Sequence, residues 1–168
     1  MLHIIDTPIG PLLLTADADG LSRVDFGVLR AGCTEASKAR REVTGAESGD
    51  NSKRSAAILN ATHEQLAEYF AGRRREFELP LNPAPTTEFR AQIHAQLDTI
   101  GYGKVSSYGE LAAAVGRPAA TRAVGSACGA NPLPIIRPCH RVLRSDGSLG
   151  GYASGLDIKR FLLTLEEN

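Results

Sequence analysis

At 168 residues, 42% hydrophobic and 23% charged, the chain has the make-up of one ordinary folded domain or two small ones, not of a disordered or fibrous segment. Nineteen Lys and Arg balance 19 Asp and Glu, so the formal charge is zero, which argues against nucleic-acid binding through bulk charge. No apolar run approaches the ~20 residues that span a bilayer. The opening Met1-Leu2-His3-Ile4-Ile5-Asp6 carries neither a basic segment nor a small-residue cleavage site. A cytoplasmic protein with no membrane partner is therefore expected.

The first thirty residues read as an antiparallel meander. Leu2–Ile5 and Leu12–Thr15 flank the turn former Pro8-Ile9-Gly10-Pro11, and Asp17-Ala18-Asp19-Gly20 precedes the alternating Leu21–Phe26. Ala31 to Ser52 is polar and aperiodic and reads as a loop or frayed helix. Ile58, Leu59, Leu66, Tyr69 and Phe70 recur at helical spacing over Ser55–Phe70, with Gly72 as the stop and Arg73-Arg74-Arg75 at the negative end of the dipole. Phe77–Leu81 alternates like a short strand. The prolines of Asn82–Thr87 then mark a linker, giving expected domains 1–82 and 83–168.

Beyond the linker the pattern turns helical. Thr86 or Thr87 caps a helix carrying Phe89, Ile93, Leu97 and Ile100 up to Gly101. Ser107 and Glu110 form a capping-box pattern for a helix through Val115. Gly116-Arg117-Pro118 breaks it, and a second helix covers about Ala119 to Gly129, which is the helix-turn-helix layout. That second helix carries Ala, Gly and Ser with a single long side chain, Arg122. Such a surface suits close backbone approach to a narrow groove with little base readout, or equally a tightly packed core helix.

Leu111 to Ser145 contains no acidic residue but holds Arg117, Arg122, Arg137, Arg141 and Arg144, a local basic face fit for phosphate contact. Leu133–Ile136 reads as a buried strand or extended segment leading to Pro138-Cys139-His140-Arg141-Val142. There a thiol adjoins an imidazole with arginines on both sides, and cations next to a cysteine favour its thiolate, the nucleophilic form. Gly150–Gly155 lacks the spacing of a nucleotide-phosphate cradle and reads as a loop closing on a small substrate. Asp157–Glu166 is a last helix with Ile158, Phe161, Leu162 and Leu165 inward.

Cys33, Cys128 and Cys139 lack CxxC spacing, and His3, His63, His94 and His140 form no metal-binding pattern. No metal and no cofactor are expected.

Ser107-Tyr108-Gly109-Glu110-Leu111-Ala112, Arg122-Ala123-Val124-Gly125, Asn131-Pro132, Pro138-Cys139-His140-Arg141-Val142 and Leu162-Leu163-Thr164-Leu165-Glu166 resemble the O6-alkylguanine-DNA alkyltransferase family. The likeness is close from about Phe89 to Glu166 and looser around Asp6–Leu12. It implies a mixed α/β (α+β) protein: a small RNase-H-like N-terminal sheet domain, and a helical C-terminal domain with a helix-turn-helix. It also implies DNA repair by direct reversal. The alkyl group of O6-alkylguanine, or of O4-alkylthymine, moves irreversibly from a base flipped out of double-stranded DNA to the protein's own cysteine, once per molecule.

Carried over by position, the resemblance makes Cys139 the acceptor, His140 its base through a bridging water, and Glu166 the group that orients His140. Tyr108 protonates the departing guanine at N3. Arg122 fills the stack, with Ala123, Gly125, Ser126 and Tyr108 against the minor groove. Asn131, Val142, Tyr152, Ala153 and Ser154 line the substrate pocket. A monomer is implied, with cooperativity on DNA left open. Two positions depart from the family pattern. Arg137 replaces an aliphatic residue, so it must be exposed, paired or facing DNA, and Ser154 stands where Gly is frequent.

Overall fold

The computed structural model describes residues 1–27 and 49–167. They form two compact units, Met1–Ala84 and Pro85–Asn168. Most of the polar stretch read as a loop, and Cys33 with it, lies outside the described residues.

In the first unit β1 (Leu2–Ile5), β2 (Leu12–Ala16) and β3 (Leu21–Phe26) make the expected antiparallel meander in the order β1-β2-β3. Leu12, Leu14 and Ala16 alternate inward along β2 and are fully buried, as a one-faced sheet requires. The helix α1 (Gly49–Phe70) begins six residues before the position read from the periodicity. Its buried stripe is Ser55, Leu59, Thr62, Leu66 and Tyr69. Two of these are polar, and their hydroxyls donate back to Asn51 O at 2.9 Å and Ile58 O at 2.7 Å, which satisfies them inside the helix. Apolar counting found Leu59, Leu66 and Tyr69 on that stripe but missed Ser55 and Thr62 for this reason, and added the half-buried Ile58 and Phe70. Gly72 ends the helix at φ 71°, with Arg73 N donating to Glu68 O at 2.9 Å.

Phe77–Leu81 is not a strand. Only Leu81 bridges Leu21, through Leu21 N to Pro80 O at 2.7 Å and Asn82 N to Leu21 O at 2.9 Å. Pro80 has no N–H to extend a ladder, and Glu78 spends its own on Gln65 Oε1 at 2.8 Å. Gly20 lets this segment approach, because a Cβ there would stand 2.7 Å from Pro80 O.

The second unit packs α2 (Glu88–Asp98), α3 (Tyr108–Ala114) and α4 (Thr121–Gly129) around Ile93, Leu97, Leu111, Ala112, Val124 and Ala127. Thr87 caps α2, and Ser107 with Glu110 closes the expected capping box on α3. Gly116, at φ 71°, turns the chain between α3 and α4. The short strands β4 (Ser106–Ser107) and β5 (Val142–Leu143) pair in parallel. That pairing sets the start of α3 beside the segment that follows Cys139.

Leu133–Ile136 is a tight turn, not a strand. Arg137 N donates to Leu133 O at 2.7 Å, and Ile135 takes φ 74°, a left-handed conformation costly for a β-branched residue. The last helix, α5 (Leu156–Glu166), turns Lys159, Leu162 and Glu166 inward, while Phe161, expected inside, is 39% exposed. Its inner face is built on charged side chains, which a hydrophobic pattern cannot register. No helix of the described residues is long and apolar enough to cross a membrane.

Candidate functional site

The turn at Ile135 delivers Cys139 into a one-turn 3-10 helix, Cys139–Arg141. Asn131, just past the end of α4, fixes that delivery. Its Nδ2 donates to Arg137 O at 2.8 Å and to Cys139 Sγ at 3.3 Å, while its Oδ1 accepts from Leu133 N at 3.1 Å. The nearby Tyr152 hydroxyl also favours the anionic form of the sulfur. Cys139 is 7% exposed, and burial pushes its thiol up, not down. The expectation that flanking arginines hold it as thiolate is therefore corrected.

Both arginines are committed elsewhere. Arg137 forks onto Asp98 at the end of α2, Nε to Oδ1 at 2.9 Å and Nη2 to Oδ2 at 3.1 Å. Of the three possibilities for this departure, the structure gives the paired one. Arg141 forks onto Glu166, Nε to Oε2 at 2.7 Å and Nη2 to Oε1 at 2.9 Å, and donates Nη1 to Ile100 O at 2.5 Å. Of the five arginines between Leu111 and Ser145, Arg117, Arg122 and Arg144 are thus exposed, while Arg137 and Arg141 are withdrawn.

His140 is fully buried and its Nε2 meets Glu166 Oε1 at 2.8 Å. Glu166 also accepts from Gly103 N at 3.3 Å, so the carboxylate is fastened from three directions. Burial keeps His140 below the usual imidazole range, and the neighbouring Arg141 and Lys159 cations push the same way against Glu166. No hydrogen bond joins His140 to the adjacent thiol among the described residues, and His140 Nδ1 is buried without a partner.

Tyr108, at the start of α3, leans over the glycine-rich loop, with its hydroxyl donating to Gly151 O at 3.4 Å. Gly150 sits at φ 66°, and a Cβ there would lie 3.0 Å from the Tyr108 ring. Burial raises the Tyr108 hydroxyl, so it remains a proton donor at neutral pH. Val142 is buried, Tyr152 and Ser154 are half-buried and Ala153 is exposed. On α4 the side chains divide as opposite faces: Val124, Ala127 and Cys128 point inward, Arg122, Ala123 and Ser126 are exposed, and Gly125 is half-buried. The packed-core reading holds for the inner side, and the outer side presents small residues and Arg122.

Three features carried no sequence signal. Lys159 is a buried cation on a helix face that reads as apolar. Arg141 looked like a surface charge. His94 is buried on α2 and bonds Ala127 O of α4 through Nε2 at 3.0 Å. Only the i, i+7 spacing of Lys159 and Glu166 placed two charges on one face of α5. No group of His, Cys, Asp and Glu suited to a metal ion occurs among the described residues.

A helix-turn-helix with an exposed small-residue face thus stands in one unit with a buried thiol held by an asparagine and a neighbouring His–Glu pair, an arrangement suited to a DNA-binding protein with cysteine chemistry. Comparison with known proteins makes this specific. The model for the 6-O-methylguanine DNA methyltransferase ribonuclease-like domain matches residues 1–83, and that for its DNA-binding domain matches 88–168. The chain belongs to the 6-O-methylguanine DNA methyltransferase family. It is 46% identical to a methylated-DNA–protein-cysteine methyltransferase of Methanosarcina barkeri, over 98% of this chain and 96% of that one. It is 38% identical to the constitutive enzyme of Bacillus subtilis, over 96% and 92% of the two chains. Among solved structures it resembles Mycobacterium tuberculosis OGT in complex with DNA, with TM-score 0.79, 38% identity, and 98% and 91% of the chains covered.

Proposed function

We propose that this protein repairs DNA by taking the alkyl group of O6-alkylguanine, and of O4-alkylthymine, onto Cys139 in a single irreversible turnover. The observation that carries the reading is the buried Cys139 sulfur, oriented by Asn131 and adjoining the His140–Glu166 pair. Full-length likeness to methylated-DNA–protein-cysteine methyltransferases supports the same reaction.

The thiol and a neutral imidazole are the resting pair, because burial disfavours both charged forms. A water between Sγ and His140 Nδ1 carries the thiol proton to the imidazole, whose cationic form the Glu166 hydrogen bond stabilises. The free Nδ1 lone pair is the acceptor this step needs. The sulfur attacks the alkyl carbon, an S–C bond forms and the C–O6 bond breaks. Guanine leaves with the bonding electrons, and Tyr108 gives it a proton at N3. The pocket is lined by Asn131, the Val142 carbonyl, Tyr152, Ala153 and Ser154.

A base must leave the duplex to reach the buried Cys139, which favours flipping. In this reading α4 lies in the minor groove with Ala123, Gly125, Ser126 and the Tyr108 ring at the backbone, and Arg122 occupies the vacated stack. Residues 83–168 perform both DNA binding and transfer, residues 1–82 form the companion domain, and the protein acts as a cytoplasmic monomer without a cofactor.

Intact and peptide mass spectrometry after mixing with duplex DNA bearing one O6-methylguanine tests this. One added methyl on Cys139, saturating at one equivalent and absent in Cys139→Ala, is expected. Unchanged mass alongside a stable complex with the lesion would replace repair with lesion binding.

A further inference from the structure

Lys159 lies fully buried on the inner face of α5. Its ammonium donates to the carbonyls of Val142 at 2.6 Å, Gly151 at 3.5 Å and Leu149. The carboxylate nearest along its own helix face, Glu166, is taken by Arg141 and His140, and Lys159 forms no ion pair among the described residues. Carbonyl dipoles solvate an ammonium but do not neutralise it. A buried charge left unbalanced costs several kcal/mol, and such a charge is characteristic of sites where the opposite charge appears during function.

The groups facing it narrow down where that charge forms. Val142 lies three residues after Cys139, and Gly151 directly precedes Tyr152, whose hydroxyl favours the anionic form of the Cys139 sulfur. Lys159 is thus bracketed by the two segments that enclose the thiol. The Tyr108 ring centroid is 5.9 Å from Nζ, and the phenol is a weak acid made weaker by burial. Cys128, on α4, is the other nearby thiol, and burial pushes it up to about 12, so it stays protonated. Arg141 and Glu166 already balance one another, and a proton on His140 only adds positive charge, so this group holds no anion for Lys159. Cys139 remains.

We propose that Lys159 is the counter-charge of the Cys139 thiolate: His140 removes the proton, and the carbonyl-held ammonium stabilises the anion left on sulfur. Lys159 is a positioning residue in this scheme, acting through the sulfur and not on the substrate. The inference rests on Cys139 being the acceptor, but it makes a statement about the thiol that holds without DNA. The Coulomb attraction is reciprocal, lowering the thiol and raising the ammonium.

The test is the pH dependence of Cys139 alkylation by iodoacetamide in the full chain, followed by peptide mass spectrometry. Lys159→Gln keeps a donor and loses the charge, while Lys159→Arg keeps the charge. The midpoint is expected to rise by about one unit or more in the glutamine variant, a roughly tenfold loss of rate at neutral pH that is recovered at high pH. The arginine variant is expected to stay near wild type. A folded glutamine variant with the wild-type midpoint, or equal shifts in both variants, overturns the proposal.

Where Lys159→Gln fails to fold, NMR titration of the Lys159 ammonium in wild type and in Cys139→Ala supplies the answer. Removing the thiolate must lower the ammonium midpoint by the same coupling, and an unchanged midpoint overturns the proposal. Because the probe is iodoacetamide, a protein inactive on DNA can still satisfy the inference, and an active one can still fail it.

Discussion

Arg141 and Glu166 share a two-pronged ion pair inside the protein, at 2.7 Å and 2.9 Å, with the arginine side chain 7% and the glutamate side chain 1% exposed. The carboxylate that supports His140 is therefore already balanced by a permanent cation. Burial keeps His140 neutral at rest, and in the proposed reaction it becomes charged on receiving the thiol proton. Arg141→Met strands the carboxylate and should destabilise the fold by about 3–5 kcal/mol, as when one partner of a buried pair is removed. The same variant should raise the His140 titration midpoint, since Arg141 is one of the charges that lowers it. Urea unfolding and imidazole NMR check the two effects. A raised midpoint with unchanged stability would mean that the pair only tunes His140.

Acid should weaken the protein through its histidines. His140 and His94 both titrate below the free imidazole value, chiefly because burial disfavours their charged forms. Between the folded and unfolded values the unfolded chain binds more protons, so stability rises with pH. The contribution is complete above the unfolded value near ~6.5 and is lost as pH falls below it, at up to about 1.4 kcal/mol per pH unit for each histidine. Urea midpoints at pH 7.5 and pH 5.5, with those values of about neutral and mildly acid chosen to bracket the unfolded imidazole, should fall on the acid side. His94→Gln should flatten the slope.

The five arginines between Arg117 and Arg144 should differ in DNA binding according to what holds them. Arg122 is exposed on the outer face of α4, whereas Arg137 is clamped by Asp98. Arg122→Ala should weaken duplex binding and slow repair in duplex more than reaction with free O6-alkylguanine base. Arg137→Ile should leave the salt dependence of binding unchanged and cost at most about 1 kcal/mol of stability, since Asp98 is 44% exposed. Plots of log affinity against log salt distinguish the two. A shallower slope in Arg137→Ile would mean that the Asp98 pair opens on DNA.

Gly103 ties the two ends of the second unit. It adopts φ 66°, and a Cβ on it would stand 2.8 Å from Glu166 O, backbone that cannot swing aside. Gly103→Ala should cost roughly 1–3 kcal/mol of stability. It should also slow Cys139 alkylation, because Glu166 would shift away from His140. Thermal unfolding and single-turnover rates measure these, and a stable variant with normal rate would show that the end of α5 moves freely.

Much of this protein was legible along the chain because it is written in local chemistry. The β1–β3 meander follows alternation and turn formers. The Thr87 cap and the Ser107–Glu110 box set the starts of α2 and α3, and Gly72 and Gly116 mark where the chain must take positive φ. The motif around Cys139, read with Tyr108, Arg122, Asn131 and Glu166, resembles the family to which the chain belongs, because that likeness lies in residue identity and spacing.

Tertiary structure alone decided where the charges go. Arg137 and Arg141 look alike in sequence, each one step from the Pro138–His140 stretch, but one reaches Asp98 and the other Glu166, 39 and 25 residues away. Lys159 and Glu166 break the apolar pattern of α5 but form its buried face, because carbonyls and an arginine brought from other elements solvate them there. Ser55 and Thr62 do the same on α1 with their own helix backbone. The pattern of apolar residues predicts burial only where water is the alternative to hydrocarbon. Where folding supplies a polar partner, burial depends on residues that the chain brings together from far apart, and the sign of the shift at Cys139 follows from that enclosure and not from its neighbours in sequence.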